Sequence, residues 1–547
     1  MIEAVGHNGI MSSSAPTRPS PSAADDLHLG SFSDDPPWSM ATVTPKWSRA
    51  VAILRRQQQR QLPHLTRPPR IPPLGRAVTV VIILGKAVAG WYLLDRRGSA
   101  SRAGLSRRLR EAAERLGPTY IKLAQIISAG EGVFPRELVD ECKKCRDQVP
   151  AVDFDQVVDV IEAELGRPIG KMFRTVDPTP LAAASIAQVH AATLCTGEDV
   201  VVKVQRPGID TLVRKDLRVL AWLAPFLVGR IPVSALANPP ALVELFAETI
   251  VEELDFRLEA ANMLDVAEVF VKLDQRGFVV PRPHPEFVTK RILIMERLDG
   301  FNFNDVVGMK EAGVDTQAVI RTGMIGFLEG AFLHGIFHGD LHGGNLFVRP
   351  DGRTALLDFG ITARLSEEER MAFLRMMMTA TTNDVRGQLA ALRDLGTLPP
   401  DTDLDAVITD LKLDGPPLDP TTLNPDELVA EMQRVIKALL GYGARLPKSL
   451  MLYIKNLIFI DGAIAQLAPE LDMFAAVTDV ATHFATTHGS TIAAQLGMTN
   501  QDQWQLDLDG VKAGFGVDPD VTDHLTYAEL RQRRALIQKR LSGRDVE

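Results

Sequence analysis

Two short motifs carry the residues that are best suited to phosphate chemistry. The first, His338–Asn345, reads H-G-D-L-H-G-G-N, and the second, Asp358–Gly360, reads D-F-G. Phosphoryl transfer needs a carboxylate near the attacking hydroxyl or water, and it needs hard oxygen ligands that hold magnesium on the phosphates. Asp340 suits the first task, and Asn345 and Asp358 suit the second. The order and spacing of these motifs therefore predict a magnesium-nucleotide site.

A lysine within a β-branched segment is the next candidate. Glu198–Val204 reads E-D-V-V-V-K-V between Gly197 and Pro207, a pattern typical of a strand that carries Lys203. A lysine in a buried strand is costly unless it is paired. Nucleotide phosphates and a helix glutamate would provide that pairing. The acidic run Glu252–Glu259 could supply the glutamate, although a solvated acidic face is the simpler interpretation of such a run.

The loop ahead of this strand is rich in alanine where a protein kinase carries G-x-G-x-x-G. Residues 182–190 read A-A-A-S-I-A-Q-V-H. Alanine does not share the freedom of glycine to adopt positive φ, so phosphate contact would come from a less flexible turn, with Ser185 as a possible donor. The residues predicted to bind the nucleotide are Ala182, Ala183, Ala184, Ser185, Lys203, Met295 and Glu296.

Histidine and cysteine side chains in the sequence raise the separate question of a metal centre. His338 and His342 could both be ligands, but packing and hydrogen bonding are the favoured role for His338. Cys142 and Cys145 form a C-x-x-C without a second pair or a nearby histidine, so a structural role is expected. The chain has three cysteines in 547 residues, which suits a reducing compartment and gives no disulfide framework.

Charge and composition separate the N-terminal region from the rest of the chain. The net charge of -9 excludes a global basic field for nucleic acid. Residues 1–44 are rich in Ser, Pro, Ala and Asp without periodicity, and residues 45–75 contain basic but no acidic side chains. We therefore predict a disordered tail over residues 1–75, first rich in Pro and Ser and then basic.

One apolar run, Ala77–Leu94, follows the basic stretch and is interrupted by Gly85, Lys86 and Gly90. It is short for a membrane span, which needs about 20 apolar residues. Basic residues flank both sides and give no orientation. A helix on a membrane surface, a single-pass span and a core helix all remain open, and we predict a cytoplasmic, membrane-associated protein.

Taken together, these motifs resemble the UbiB/AarF family of atypical kinase-like proteins, the bacterial relatives of mitochondrial proteins that support coenzyme Q synthesis. The resemblance runs from about residue 105 to residue 370. It assigns catalytic roles to Asp340, Lys203 and Glu259, metal binding to Asn345 and Asp358, and regulation to Lys122, Gln125, Glu253 and Asp255. The last four match the family's K-x-G-Q and E-x-D motifs.

Two departures from the family pattern leave an alternative open. Ala124 stands where the family has glycine, and the loop His338–Asn345 is similar to that of aminoglycoside and choline phosphotransferases. Those enzymes lack the extension with Lys122 and Gln125 and the alanine-rich loop. A small-molecule phosphotransferase is therefore a weaker hypothesis.

The resemblance implies an α+β, bilobal fold, with a helical extension over the active site and a mostly helical C-terminal lobe. It also implies ATP and Mg²⁺ as cofactors. The lid would block peptides and favour ATP hydrolysis or a small or lipid-like acceptor, in isoprenoid-quinone (ubiquinone) or other membrane lipid metabolism. Lipid or quinone-biosynthesis proteins are the expected partners, without nucleic acid. A nucleotide-switched pseudokinase scaffold is the main alternative.

The expected domain layout follows the same comparison. After the tail come an apolar helix over 76–97, the extension over 98–150, an N-lobe over 151–298, a C-lobe over 299–500 and a polar helical tail over 501–547. No oligomeric state is predicted.

Overall fold

The structure is a computed structural model. It describes residues 45–95, 101–128, 134–145, 150–227, 239–381, 384–413, 434, 438–439, 441–444, 447–496, 508–509, 512 and 524–541. Contacts divide the chain into two units. The first comprises Met1–Leu264, Val280–Leu298 and Phe359–Ile361, and the second comprises Asp265–Val279, Asp299–Asp358 and Thr362–Glu547.

The helices that begin in the first unit precede its sheet in the chain or lie between two of its strands. They are α1 (Val51–Thr66), α2 (Leu74–Gly90), α3 (Ser101–Leu116), α4 (Pro118–Ser128), α5 (Arg136–Cys142), α6 (Phe154–Leu165), α7 (Ile209–Leu227), α8 (Pro239–Glu252) and α9 (Phe256–Lys272). Apolar side chains from α1, α7 and α8 form one buried cluster around Phe246, which is fully buried.

An antiparallel sheet forms the core of the first unit. Its strands are β1 (Phe173–Val176), β2 (Ala182–Ala183), β3 (Ala187–Leu194), β4 (Asp199–Gln205), β6 (Pro283–Val288) and β7 (Ile292–Glu296), while β5 (Phe278–Val279) belongs to the second unit. The order is β1-β3-β4-β7-β6, with β2 paired to β3. Alternate β4 residues Val200, Val202 and Val204 are buried against α6, which leaves Lys203 on the other face.

The prediction of a disordered tail to residue 75 is wrong for the part that the structure describes. Residues 51–66 form α1, and a short 3-10 turn precedes it. The helix is polar overall, but Leu62 and Leu65 pack into the Phe246 cluster. The Trp47 indole donates a hydrogen bond to the His284 carbonyl at 3.2 Å. Tertiary packing therefore orders a segment without a clear apolar stripe. Residues 1–44 lie outside the described part.

The predicted apolar helix is present as α2, which a π-helical turn extends to Asp95. Its N-terminal end is held to the body of the unit by Arg76, whose guanidinium lies 2.5 Å from the fully buried Asp216 carboxylate on α7. Val80 is buried on the same side. The other side carries exposed apolar residues, namely Leu74, Val78, Val81, Ile82, Val88, Tyr92, Leu93 and Leu94.

The second unit is mostly helical in its described part. Beyond α9, its helices are α10 (Val306–Glu311), α11 (Thr316–Glu329), α12 (Glu367–Thr381), α13 (Val385–Asp394), α14 (Leu404–Leu411), α15 (Lys448–Leu467), α16 (Met473–His483), α17 (Gly489–Leu496) and α18 (Tyr527–Leu541). By length and composition alone, 74–95 and α15 could cross a membrane, a test that core helices also pass. Asn456 on α15 is fully buried.

Short strands in the second unit position the two predicted loops. They are β8 (Phe301–Asn302), β9 (Ile336–His338), β10 (Leu346–Val348), β11 (Thr354–Leu356) and β12 (Thr362–Arg364). One sheet has the order β5-β11-β10-β8, and β9 pairs with β12. The β10–β11 hairpin separates Asn345 from Asp358, so it brings the ends of the two motifs together. The α+β class is thus confirmed.

One boundary between the units falls between Leu298 and Asp299, but the earlier segment Asp265–Val279 also belongs to the second unit. The second unit begins within α9, at Asp265, and includes β5. β5 is hydrogen-bonded to β11 in parallel register, with Ala355 opposite Val279. Chain order alone would assign residues 265–279 to the first unit. The pairing of β5 with β11 instead assigns them to the sheet of the second unit.

A stability prediction arises from two glycines on α11. Gly323 lines an apolar cavity of about 70 Å³ in the second unit, and a Cβ there would contact nothing within 4 Å. We expect Gly323→Ala to raise the free energy of unfolding of this unit by about 0.5–1 kcal/mol, because alanine lowers the entropy of the unfolded chain. Calorimetric unfolding would measure the gain.

Gly326→Ala is the matched control for that prediction. It lies one turn further along α11, and a Cβ there would be 2.3 Å from the Phe278 ring, which stacks on Phe270. We expect a loss of about 1–3 kcal/mol from overpacking. Equal effects of the two substitutions would contradict the description of this cavity.

Candidate functional site

In the first unit, the structure pairs the strand lysine with a helix glutamate. Lys203 Nζ lies 2.7 Å from Glu259 Oε1, and the side chains are 12% and 3% exposed. The ammonium also lies 5.4 Å from the centre of the Phe256 ring. The desolvated lysine therefore has a counter-charge and an aromatic face beside it. Among the acidic residues 252–259, Glu259 is the one that reaches this lysine.

The alanine-rich segment forms a tight hairpin. Ala182 pairs with Val189 across β2 and β3, and the Ala184 N–H donates to the Ala187 carbonyl at 2.8 Å. Arg206 donates through Nε to the Ala184 carbonyl at 2.9 Å. Among the described residues, none in this hairpin has a positive φ. Ser185 is buried, whereas Ala182 and Ala184 are exposed and Ala183 is half-buried.

The strand next to Lys203 carries the other two predicted nucleotide residues. β7 pairs with β4 so that Met295 lies opposite Val201 and Glu296 opposite Val200. Met295 is buried, and the Glu296 N–H donates to the Arg282 carbonyl. These two residues are the last of β7, so the hydrogen bonds of the sheet that positions Lys203 also fix the position of their backbone groups.

The helix of the extension contacts the first acidic residue of the E-x-D motif. Lys122 Nζ on α4 lies 2.8 Å from Glu253 Oε1. Asp255 is buried and accepts two hydrogen bonds from Arg257, at 2.9 and 2.7 Å. Lys122 therefore contacts the motif through Glu253, whereas Asp255 pairs with Arg257. The buried Nε2 of Gln125 has no hydrogen-bond partner among the described residues.

In the second unit, hydrogen bonds join the loop His338–Asn345 to Leu357, the residue before Asp358, in one closed ring. The Asp340 N–H donates to His338 Nδ1 at 3.1 Å, so Nε2 carries the ring proton and donates to the Leu357 carbonyl at 3.1 Å. The Leu357 N–H donates to the Asn345 carbonyl at 2.8 Å. Asn345 Nδ2 donates to the Asp340 carbonyl at 3.1 Å, which makes its Oδ1 the acceptor end. Asp358 follows Leu357 directly.

Burial supports this tautomer of His338. The ring is 4% exposed, and desolvation lowers the pKa of His338 below its usual value. A neutral ring can accept at Nδ1 while donating at Nε2, which an imidazolium cannot do. His338 thus links the residues around it through packing and hydrogen bonds.

Asp358 has an unusual backbone conformation. Its φ is +55°, in the left-handed region that few non-glycine residues occupy. Such strained positions cluster at functional sites, where the surrounding structure holds them. The position of the next residue, Phe359, is also fixed, because Asn262 Nδ2 on α9 donates a hydrogen bond to its carbonyl at 2.9 Å. Arg55 on α1 donates to Asn262 Oδ1 at 3.1 Å.

Comparison with known proteins bears on this arrangement. The ABC1 atypical kinase-like domain matches residues 144–391. An uncharacterized protein of Mycobacterium tuberculosis is 32% identical over 82% of this chain and 90% of its own length. A probable protein kinase UbiB of Marinobacter nauticus is 31% identical over 67% of this chain and 68% of its own length. The chain belongs to the ABC1/UbiB family of atypical kinase-like proteins.

Two further matches are more distant or partial. The chloroplastic protein ACTIVITY OF BC1 COMPLEX KINASE 1 of Arabidopsis thaliana is 31% identical over 67% of this chain and 53% of its own length. A solved Mycobacterium tuberculosis protein in complex with erythromycin is 22% identical, with a TM-score of 0.37, and covers 63% of this chain and 90% of its own.

Two residues of this ABC1/UbiB chain that contact the loop His338–Asn345 were not predicted from the sequence. Lys455 Nζ on α15 forms an ion pair with Asp340 Oδ1. Asn456 accepts from the Leu341 N–H at 3.2 Å and donates to the His338 carbonyl. They lie 115 to 118 residues after the loop residues that they contact, in an apolar helix. No local motif identifies them.

The ion pair leads to a prediction for turnover. We expect Lys455→Met to lower ATP turnover by about 100-fold, because an uncompensated Asp340 carboxylate would move from its position, and a displacement of about 1 Å can have that effect. Lys455→Arg should retain most activity because it keeps the charge. Steady-state phosphate release would measure both.

Lys310→Met is the control for a general effect of removing a lysine, since Lys310 is exposed on α10 of the same unit. Wild-type turnover in Lys455→Met would show that the ion pair has no part in the reaction.

The two cysteines of the C-x-x-C motif lie in an apolar cluster with Ile121 and Ala124. Both are buried and neither is in a disulfide, and burial raises the pKa of the Cys142 thiol to about 12. The thiolate needed for redox chemistry or metal binding is therefore strongly disfavoured. Their position beside α4 agrees with the structural role predicted for them.

Proposed function

We propose that this ABC1/UbiB-family chain is a magnesium-dependent ATPase or atypical kinase. It acts at a membrane on a small or lipid-like acceptor, in isoprenoid-quinone or other lipid metabolism. The observation that carries the proposal is the hydrogen-bonded ring that orients Asp340, Asn345 and the residue before Asp358. It would bring an aspartate close to an amide and a carboxylate, which is the set that phosphoryl transfer requires.

The donor set fits magnesium and nucleotide. Asn345 presents an amide oxygen and Asp358 a carboxylate, and magnesium prefers such hard ligands together with phosphate oxygens. Lys203, paired with Glu259, would bind the nucleotide phosphates, and Met295 and Glu296 would bind near the base. Gln125 Nε2, which has no hydrogen-bond partner in the described part of the chain, suits an additional acceptor such as phosphate. Magnesium would supply charge neutralisation on the phosphates.

Asp340 would orient the attacking hydroxyl or water and accept its proton. Lys455 would hold Asp340 in place through the ion pair. Lys122, through Glu253, would regulate the site. We propose water, a small alcohol or a lipid headgroup as the acceptor, since the family resemblance implies a lid that blocks peptides.

The surface of α2 supports membrane association without a span. Val81, Ile82, Leu93 and Leu94 are among its exposed apolar residues. Arg76 holds the same helix to the buried Asp216, an ion pair that would have to break if the helix crossed a bilayer. We propose a cytoplasmic protein that lies on the membrane through this face, with lipid or quinone-biosynthesis proteins as partners.

The test is phosphate release from ATP by the purified chain, with and without magnesium and with and without anionic phospholipid vesicles. We expect turnover that requires magnesium, rises with vesicles and is absent in Asp358→Asn. Neutral vesicles control for lipid itself, and choline and kanamycin serve as soluble acceptors. Phosphate transfer to either would favour the small-molecule phosphotransferase instead.

A nucleotide-switched scaffold is the second candidate, and the alanine-rich hairpin favours it. The hairpin has no positive φ among its described residues, and Ser185 is buried. Tight nucleotide binding without turnover, under every lipid condition, would replace the enzyme with this scaffold.

A further inference from the structure

A separate cluster of ligand-type side chains lies in the second unit, outside the phosphotransfer motifs. Glu329 Oε1 at the end of α11 is 2.7 Å from His483 Nε2 and 2.9 Å from His488 Nε2. The three atoms all lie within 4.8 Å of one another. One carboxylate and two imidazoles therefore converge on a single small volume.

The local backbone produces this convergence. His483 ends α16, and a π-helical turn, Phe484–His488, follows before α17. Five residues of regular α-helix would place the two histidines about 140° apart around the axis. The π turn bonds residue i to i+5 and so aligns them, and such turns are frequent at functional sites. Glu329 directly precedes a second π turn, Gly330–His334.

Burial and charge make the glutamate costly without a cation. Glu329 is 2% exposed, and buried carboxylates are normally paired with a cation or coordinated to a metal. Arg370 is close to the same π turn, but its guanidinium contacts Glu367 and the Phe332 carbonyl. Burial lowers the pKa of neighbouring His334, which favours its neutral form.

The second oxygen of the carboxylate is also oriented. Gln275 Nε2 donates to Glu329 Oε2 at 3.1 Å. An outer partner of this kind fixes the direction of a metal-binding carboxylate and is typical of protein metal sites. Oε1 is thereby turned towards the two imidazoles.

We propose that Glu329, His483 and His488 bind a divalent transition-metal ion, with Zn²⁺ as the best match. Two imidazoles and one carboxylate are a common zinc set that leaves a fourth position for water. His483 is 32% exposed and His488 14%, so water can reach that position. Tetrahedral zinc holds its ligand atoms about 3.3 Å apart. The imidazoles would move back by about half an ångström on binding.

The ion would connect the end of α11 to the helices α16 and α17. Because metal binding to a folded site adds directly to stability, it would reinforce the unit that holds Asp340, Asn345 and Asp358. The site does not depend on the proposed phosphotransfer reaction, so either proposal can fail alone.

The experiment uses the full chain without a polyhistidine tag, freed of metal by a chelator and titrated with Co²⁺. We expect one equivalent to bind with the visible absorption of a four-coordinate site, and Zn²⁺ to displace it. Glu329→Gln and His488→Ala should each weaken binding by more than the ~10- to 100-fold that loss of an outer partner causes. His524→Ala, at an exposed histidine, is the control.

A second measurement guards against misfolded variants. Zn²⁺ should raise the thermal midpoint of the chelated wild-type chain and leave that of Glu329→Gln unchanged, with circular dichroism showing both folded. Absence of stoichiometric Co²⁺ binding in the wild type would overturn the proposal and leave a hydrogen-bonded buried carboxylate. Wild-type affinity in Glu329→Gln would overturn it as well.

Discussion

Replacing Asp358 with asparagine should lower magnesium-dependent ATP turnover by about 1000-fold or more. The carboxylate would hold the ion that neutralises the phosphates, and such a contribution is worth several kcal/mol of transition-state stabilisation. Asparagine has nearly the same shape, so the strained backbone at φ +55° should persist, because asparagine tolerates this region well. Steady-state phosphate release over a range of magnesium concentrations would measure the loss.

Asp351→Asn provides a matched control, because Asp351 lies at the tip of the neighbouring β10–β11 hairpin and pairs with Arg353. It should keep wild-type turnover. Binding of a fluorescent ATP analogue without magnesium should be similar in all three proteins. Substantial turnover in Asp358→Asn would show that the metal is held elsewhere.

Removing one partner of the Lys203–Glu259 pair should destabilise the first unit by about 3–5 kcal/mol. The side chains are 12% and 3% exposed, so the remaining charge would be buried without its partner. Lys203→Met and Glu259→Leu should therefore each lower the unfolding midpoint of this unit in calorimetry. Both should also abolish turnover, since the lysine would no longer be held for the phosphates.

The double variant Lys203→Met/Glu259→Leu separates stability from function. Apolar replacement of both partners often restores stability, so the double variant should be more stable than either single variant yet inactive. The surface pair Arg136–Asp140 on α5 of the same unit is the control, and Arg136→Met should change the midpoint little. A Glu259→Leu variant as stable as the wild type would contradict the buried-pair description.

Sequence reasoning predicted the strand and the two loops where a local pattern defines them. The motifs around Asp340 and Asp358, and the β-branched strand around Lys203, signal both residue type and secondary structure within a few positions. The hairpin between Asn345 and Asp358 is short, so chain connectivity alone brings its ends together. The family could be predicted for the same reason.

Sequence reasoning failed where the position of a residue depends on packing between segments that are distant in the chain. α1 is polar, and what orders it is a few apolar contacts to α7 and α8, which its own periodicity does not reveal. Lys455 meets Asp340 across 115 residues, and His483 meets Glu329 across 154. Nothing near these residues in the chain signals their partners. The shift of residues 265–279 into the second unit likewise depends on the pairing of β5 with β11.

One face of α9 carries two residues that contact different parts of the proposed site. Glu259 and Asn262 are three residues apart on α9, and they contact Lys203 and the Phe359 carbonyl. Arg55 of α1 holds Asn262 from the other side. α1 precedes α2, the helix with the exposed apolar face.

If a lipid surface shifts α1, it also shifts Asn262, which Arg55 of α1 contacts. Asn262 lies on the same turn of α9 as Glu259, the partner of Lys203. Linkage is reciprocal, so nucleotide would then have to change the affinity of the protein for that surface by the same factor. ATP would in that case act as a ligand that sets the fraction of the protein residing on the lipid.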